Sequence, residues 1–336
     1  GKPPVVFNRG VKRLQRDAAA LRPDRAENAM LREEVAERLV DRLDDISSRR
    51  FPVAVDLGCA DGTILSRLAG RGGIQTLYQC DSSQKMLDLC SEGEVEGVAA
   101  RKMLVDEEAF EFEDGSLDLV MSNLSLHWIN DVPETLTKIR KALKPDGLFL
   151  ASILGGDTLI ELRHAFAVAE MERDGGVSPH VSPLAGVADA GNLLGRAGFA
   201  IPAVDTDSLV VRFPSAVDVM LALQGMGENN AVNVRRPYIS KDTMLAAAAI
   251  YESLYGDEDG VPATFQVIYL SGWAPHDTQQ KAKERGTATV SLGDIGEVHV
   301  LGPNPAMNPP GTGGDEAKPV KGVPVGLDTS RERDPK

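Results

Sequence analysis

The chain has 336 residues, 42% of them hydrophobic and 5% aromatic, which is enough apolar mass for one large domain or two small ones. Its 50 acidic and 36 basic residues give a formal charge of −14, which argues against a general nucleic-acid binder and suits either solubility or a basic partner. Cys59, Cys80 and Cys90 form no C-x-x-C pair and no apolar run is long enough to cross a bilayer, so disulfide framework, zinc knuckle and membrane span are all unsupported and a reducing compartment is expected.

The chain opens on Gly1 rather than Met, as expected where a targeting sequence has been removed. Residues 7–22 carry Lys12, Arg13 and Arg16 beside an alanine run and read as a basic, surface-lying helix ended by Pro23. Such a helix either packs as a solvated element or meets an acidic partner or membrane surface. Over residues 28–45, Met30, Leu31, Val35, Leu39, Val40 and Leu43 recur at helical spacing, so an amphipathic helix is predicted to cap a sheet.

Val53-Ala-Val-Asp56-Leu-Gly58-Cys-Ala60-Asp-Gly62-Thr63 reads as a buried strand, a tight turn and the start of a helix. Gly58 and Gly62 are placed to let a ligand approach the backbone, although an ordinary strand-to-helix turn has the same signature. The next strand, around 76–80, ends in Asp81, 19 positions after Gly62. An acid there suits a ribose diol, and equally the N-cap of the following helix. Asp106 and Glu107 follow a third apolar run, where they are placed for an adenine amino group. A fourth strand ends near Ser122, followed by His127 and Trp128.

A helix end, a Pro-Asp-Gly turn at 145–147 and a fifth strand come next, so strands and helices alternate as in a doubly wound parallel sheet. Asp157 and Glu161 then open a helix, as substrate-facing acids or as ordinary helix-start charges. A loop at 174–183 holds His180, and a helix over 189–197 ends at Gly198. A strand is expected over 204–211, a polar glycine loop over 224–230, a helix from Asp242 and a last strand over 264–273. The predicted organisation is a basic segment at 1–27, an α/β domain at 28–300 with a helical insertion around 157–260, and a disordered Pro/Gly-rich tail at 301–336.

Asp56-Leu-Gly-Cys-Ala-Asp-Gly62, Asp81, Asp106-Glu107 and the Pro145-Asp-Gly strand together resemble the class I S-adenosylmethionine-dependent methyltransferase fold. That resemblance implies a doubly wound, seven-stranded, mostly parallel sheet with N-terminal helices and helical insertions. Ala60 stands where the usual turn has its middle glycine, which narrows the pocket. More specifically, Phe7-Asn-Arg-Gly-Val-Lys-Arg, Leu124-Ser-Leu-His-Trp-Ile, Gly155-Gly-Asp-Thr-Leu, Ser178-Pro-His-Val-Ser-Pro, Gln224-Gly-Met-Gly-Glu and Arg285-Gly-Thr-Ala-Thr-Val-Ser resemble the mitochondrial complex I assembly factor five family.

What that family implies is an arginine hydroxylase that keeps an S-adenosyl-L-methionine site. It would act on an iron–sulfur subunit of the quinone-reducing arm of complex I, in the matrix and peripheral to the inner membrane, with a small companion assembly factor. The expected cofactor set is Asp56, Gly58, Ala60, Gly62, Asp81, Asp106, Glu107 and Ser122, and the candidate catalytic residues are His127, Asp157, Glu161 and His180. No facial triad for iron stands out, and paired acids gripping a guanidinium are the one role the chemistry suggests. A methyltransferase with His127 as base, and a non-catalytic scaffold that binds the cofactor only for stability, are the competing readings.

Overall fold

The structure is a computed structural model that describes residues 4–279 apart from Ser47 and Pro237. The tail expected over 301–336 and the Arg285 signature lie outside the described residues. Three helices come first, α1 (Arg9–Ala20), α2 (Arg25–Asn28) and α3 (Met30–Asp41). They lead into β1 (Val53–Leu57), β2 (Thr76–Asp81), α4 (Gln84–Leu89), β3 (Gly93–Val95), β4 (Val98–Leu104) and β5 (Leu117–Asn123). The chain continues through α5 (Val132–Ala142), β6 (Leu143–Leu154), α6 (Ile160–Arg173) and α7 (Val187–Ala197). It closes with β7 (Ala200–Phe213), α8 (Ala216–Met226), α9 (Lys241–Tyr255) and β8 (Val261–Trp273).

The strands form one sheet in the order β3-β4-β2-β1-β5-β6-β8-β7. From β4 to β6 the pairing is parallel, and β8 enters antiparallel between β6 and β7. β1 is central because successive residues face two apolar layers, Ala54 toward α3 and Val55 and Leu57 toward α5. One layer packs Val35 and Leu39 of α3 with Ala165 of α6 and Tyr251 of α9; the other packs Leu136 and Ile139 of α5 with Ala190 and Leu194 of α7.

The sheet has eight strands where seven were expected. The extra strand is β3, which pairs antiparallel with β4 across a two-residue turn. Glu96 and Gly97 in that turn both have positive φ, the geometry that matches the twist of a tight hairpin. The helix expected after the glycine turn shrinks to a single 3-10 turn at Leu65–Arg67, because Ala69, Gly70, Gly72 and Gly73 all turn to positive φ just beyond it.

The glycine stretch at 224–227 is not a loop from its start. α8 runs through Gly225, whose absent Cβ makes room for the Asn28 side chain, and ends at Gly227 with φ +74°. Met30, counted with the apolar stripe, faces solvent at the start of α3. Among the described residues no helix is long and apolar enough to cross a membrane.

The largest departure concerns α1. Two of its three named basic residues face inward, Lys12 only 1% and Arg16 only 7% exposed, while Arg13 alone stays on the solvent side, so the helix does not present the surface-lying basic face expected of it. The segment is clamped at its start, where Asn8 N donates to Ala231 O at 2.7 Å and the Phe7 ring meets Trp128 edge-on at 5.4 Å. Lys12 Nζ then donates to Gly227 O at 2.8 Å and to Asn229 O at 2.9 Å, and lies 3.3 Å from the centre of the Trp128 ring. These contacts turn Arg9 and Arg16, on the same face of α1 as Lys12, toward the carboxyl ends of the strands.

Candidate functional site

The site is built where β1, β2, β4 and β5 end. After Leu57 the chain folds back over β2, with Gly58 N and Cys59 N both donating to Cys80 O at 2.7 and 3.0 Å. The turn then passes through the left-handed region at Gly58 (φ +77°), Ala60 (+49°) and Gly62 (+82°). Ala60 therefore takes the conformation that the usual middle glycine would take, at the steric cost of a Cβ. A Cβ on Gly58 would sit 2.1 Å from Ser125 Oγ, and one on Gly62 would sit 2.6 Å from Gln79 Oε1. The glycines here make room for the neighbouring side chains, and Gly58 also lines a small cavity.

Asp81 is fully buried and accepts from Ser83 N at 2.8 Å and Ala60 N at 3.0 Å, so it ties the turn to the end of β2. Ser83, not Asp81, caps α4, by accepting from Met86 N at 3.1 Å. Glu107 is also fully buried and receives Arg16 Nη1 at 2.5 Å, Ser125 Oγ at 2.7 Å and the Arg9 guanidinium. Arg9 also donates to Asp106 at 2.9 Å, and Arg16 lies 3.6 Å from Asp81. Thus all three acids expected to meet ribose and adenine are engaged by arginines of α1.

Electrostatics divides this cluster. Burial pushes the Glu107 carboxyl up, but Arg16 and Arg9 outweigh it and hold the group below the usual carboxylate range. Burial raises the Asp81 pKa, and it outweighs the opposing pull of Arg16, with the Glu107 charge adding to the rise. Asp56, on β1, is buried with no hydrogen-bond partner on either carboxylate oxygen among the described residues. Burial first, then Asp81 and Asp61, push its pKa well above the ordinary value.

Ser122, expected with the cofactor residues, spends its hydroxyl on Leu57 O at 2.7 Å and joins β5 to β1. Of the candidate catalytic residues, His127 is buried; its Nδ1 accepts from Leu154 N at 3.5 Å and its Nε2 donates to Glu228 Oε2 at 3.1 Å. Asp157 is exposed and bonds Gln266 Nε2 at 3.0 Å. Glu161 is buried against β8, where it accepts from the backbone N and hydroxyl of Thr264. Those two acids join α6 to β8 and line neither of the cavities described below. His180 stacks on Phe166 with ring centres 4.3 Å apart and bonds Glu170 Oε1 at 2.7 Å. The four candidate catalytic residues therefore form no single constellation.

Two cavities meet at Glu228, a residue singled out only as the end of the Gln224-Gly-Met-Gly-Glu signature. A small one of about 40 Å³ is lined by Arg16, Gly58, Ala60, Asp81 and Glu228. A larger one of about 440 Å³ is lined by Trp128, Leu162, Phe166, His180 and Glu228, among others. Glu228 Oε2 also accepts from Trp128 Nε1 at 2.9 Å. Among the described residues no group of three or more His, Cys, Asp or Glu stands together as a metal-ligand set.

For S-adenosyl-L-methionine, the donor chemistry fits. Asp81 ends β2, Asp106 and Glu107 follow β4, and the orphaned Asp56 carboxylate suits a cationic or donor group. The room as described is small, because ligand pockets run from about 300 Å³ upward and Arg16 fills the space between the acids.

The sheet order from β4 to β7, the glycine turn after the central strand and the acid ending the next define a class I methyltransferase fold. Residues 55–151 match the methyltransferase domain family. The chain is 46% identical over 299 residues to the human arginine-hydroxylase NDUFAF5, mitochondrial, covering 89% of this chain and 85% of that protein. It is 42% identical over 314 residues to the Dictyostelium discoideum protein of the same name, covering 89% and 72%. A malonyl-[acyl-carrier protein] O-methyltransferase of Xylella fastidiosa is 32% identical over 249 residues, covering 74% of this chain and 82% of that enzyme. The chain belongs to the arginine-hydroxylase NDUFAF5 family.

Proposed function

We propose that this protein is an S-adenosyl-L-methionine-binding protein-arginine hydroxylase. In this reading it modifies an iron–sulfur subunit of the quinone-reducing arm of complex I early in assembly, in the mitochondrial matrix and peripheral to the inner membrane, with a small companion assembly factor. The observation that carries the chemistry is the set of acids, buried Asp81 and Glu107 with the partly exposed Asp106, already holding the guanidinium groups of Arg9 and Arg16. Carboxylates that pair one guanidinium have the acceptor geometry to recognise another. The family relationship supplies the reaction and the mitochondrial setting.

Asp81, with Asp106 and Glu107, would hold the ribose and adenine, and Asp56 would face the methionine end. When bound, the group brings a sulfonium cation, whose charge suits this acidic pocket. The chain's own residues desolvate the site and set its protonation: Glu107 is held ionised by Arg16 and Arg9, and His127 is fixed with its proton on Nε2 toward Glu228. Hydroxylation inserts one oxygen into a C–H bond of the arginine. With dioxygen as oxidant, the second oxygen leaves as water and an external reductant supplies two electrons and two protons.

The test is mass spectrometry of the iron–sulfur subunit from cells lacking this chain and from cells given it back. One added oxygen on an arginine, present only when the chain is restored, is expected. A methyl mass would instead establish the methyltransferase reading, which the match over residues 55–151 favours. Calorimetric titration with S-adenosyl-L-methionine tests the cofactor, and no binding overturns that part. If Asp81→Ala abolishes this binding yet complex I assembles normally, a non-catalytic scaffold is left.

A further inference from the structure

Glu228 follows Gly227, the residue that stops α8, and its side chain forms part of the wall of both cavities. It thus stands between the acids at the strand ends and the open pocket beneath α6, α8 and α9. Its Oε2 is taken by two ring N–H groups, His127 Nε2 at 3.1 Å and Trp128 Nε1 at 2.9 Å. No hydrogen-bond donor among the described residues reaches its Oε1. The carboxylate is therefore oriented by two rigid rings while keeping an acceptor oxygen free.

The larger pocket, at about 440 Å³, is in the range of small-ligand sites, and its polar lining is uneven. Glu228 is the carboxylate among its lining residues. Other polar groups of the wall are engaged: Arg236 pairs with Asp174 at 2.5 Å and Glu170 at 3.2 Å, the His180 ring bonds Glu170 at 2.7 Å, and Arg235, exposed at the rim, donates to Val232 O at 2.7 Å. Lys12, the cation nearest in charge terms to Glu228, is committed to two backbone carbonyls. Leu154, Leu162, Phe166 and Phe265 supply an apolar wall suited to a methylene chain. The pocket thus offers an apolar channel ending in one oriented carboxylate.

We propose that this pocket receives the side chain of the substrate arginine, with its methylenes against Leu162 and Phe166 and its guanidinium on Glu228. The inference rests on the arginine-hydroxylase reading and gives it a subsite. A planar guanidinium matches a carboxylate held in a fixed plane, and a lysine ammonium matches it less well. Glu228 is then a binding residue for substrate, and His127 and Trp128 are positioning residues that hold its carboxylate.

Calorimetric titration of the full chain with Nα-acetyl-arginine amide and Nα-acetyl-lysine amide tests this. Wild type is expected to bind the arginine compound saturably and at least tenfold more tightly than the lysine compound. Glu228→Gln, which keeps the shape and can still accept from Trp128, is expected to weaken arginine binding at least tenfold. Leu162→Trp, which fills the pocket without touching the carboxylate, is expected to do the same, so the test stands even if one variant fails to fold. Wild type that does not bind the arginine compound, equal binding by Glu228→Gln, or equal binding of lysine overturns the subsite. The same variants returned to cells lacking the chain separate the two ideas. Failure of wild type to restore the added oxygen sinks the hydroxylase reading, whereas full restoration by Glu228→Gln sinks the subsite alone.

Discussion

Arg16 reaches across 91 positions of sequence to place its Nη1 2.5 Å from Glu107 Oε1, with both side chains buried. Neither group would tolerate burial alone, since an isolated buried charge costs several kcal/mol. Each makes the other's position possible, and together they fix α1 over the ends of β2 and β4.

Removing the guanidinium should therefore cost more than an ordinary surface ion pair. Arg16→Ala is expected to destabilise the protein by about 3 kcal/mol, because Glu107 stays buried with only Arg9 to balance it. Denaturant unfolding measures this. Arg16→Ala combined with Glu107→Gln should lose clearly less than the sum of the two single changes. Simple additivity would show that the pair does not hold α1.

The turn after β1 makes opposite predictions for neighbouring positions. Ala60 has φ +49°, so Ala60→Gly should stabilise by about 0.5–1 kcal/mol, the left-handed strain relieved less the extra chain entropy of glycine. Gly58→Ala, at φ +77° with a Cβ 2.1 Å from Ser125 Oγ, should destabilise by about 3 kcal/mol. Thermal melts of the two variants should move in opposite directions.

Asp56 gives a pH signature. Its native pKa lies above the ordinary 3.8, so over the window above 3.8 the native state keeps a proton that the unfolded chain has released. Stability from this group is present at low pH and is lost as pH rises through that window. Asp56→Asn removes the loss, so its stability relative to wild type should increase between about pH 4 and about pH 8 in denaturant titrations. A constant difference across that range would contradict the buried, unpartnered carboxylate.

Lys12 has the reverse dependence. Burial lowers its pKa from 10.5 to about 7, with Glu228 opposing and Arg16 and Arg9 adding to the shift. Between about 7 and 10.5 the unfolded chain holds a proton that the native state has given up, so stability rises with pH there. Lys12→Met should flatten that rise, whatever it does to absolute stability through the lost bonds to Gly227 and Asn229. Unfolding curves taken at intervals across the window report the slope directly.

By itself the sequence determined the elements whose signals are local. The run through Val53 and Val55, the glycine turn and Asp81 read as a central strand, a turn and an acid at a carboxyl end, because buried strands and tight turns mark themselves by spacing and residue type. The signatures spread along the chain likewise carried the family. Glu96-Gly97 and the glycines from 70 to 73 held enough local information for the added hairpin and the shortened helix, but their weight depends on φ values that a one-dimensional pattern does not assign.

Only the tertiary structure decided which charges meet. Lys12, Arg13 and Arg16 read as a basic, surface-lying face, yet Lys12 and Arg16 are turned inward, held by Phe7 against Trp128 and by Lys12 on the loop after α8, and only Arg13 stays exposed. Asp157 and Glu161 read equally as acids at a substrate mouth or as ordinary helix-start charges, and the packing of α6 and the turn before it on β8 hands them to Gln266 and Thr264. Glu228 carried no chemical signal beyond its place in a signature, because its role depends on His127, Trp128 and two cavities contributed by distant segments. Periodicity reports which face of an element is buried. Which partner waits on that face is settled only when helices and strands far apart in sequence pack together, and that is how the turn beginning at Gly58 came to be closed by Ser125 and Arg16.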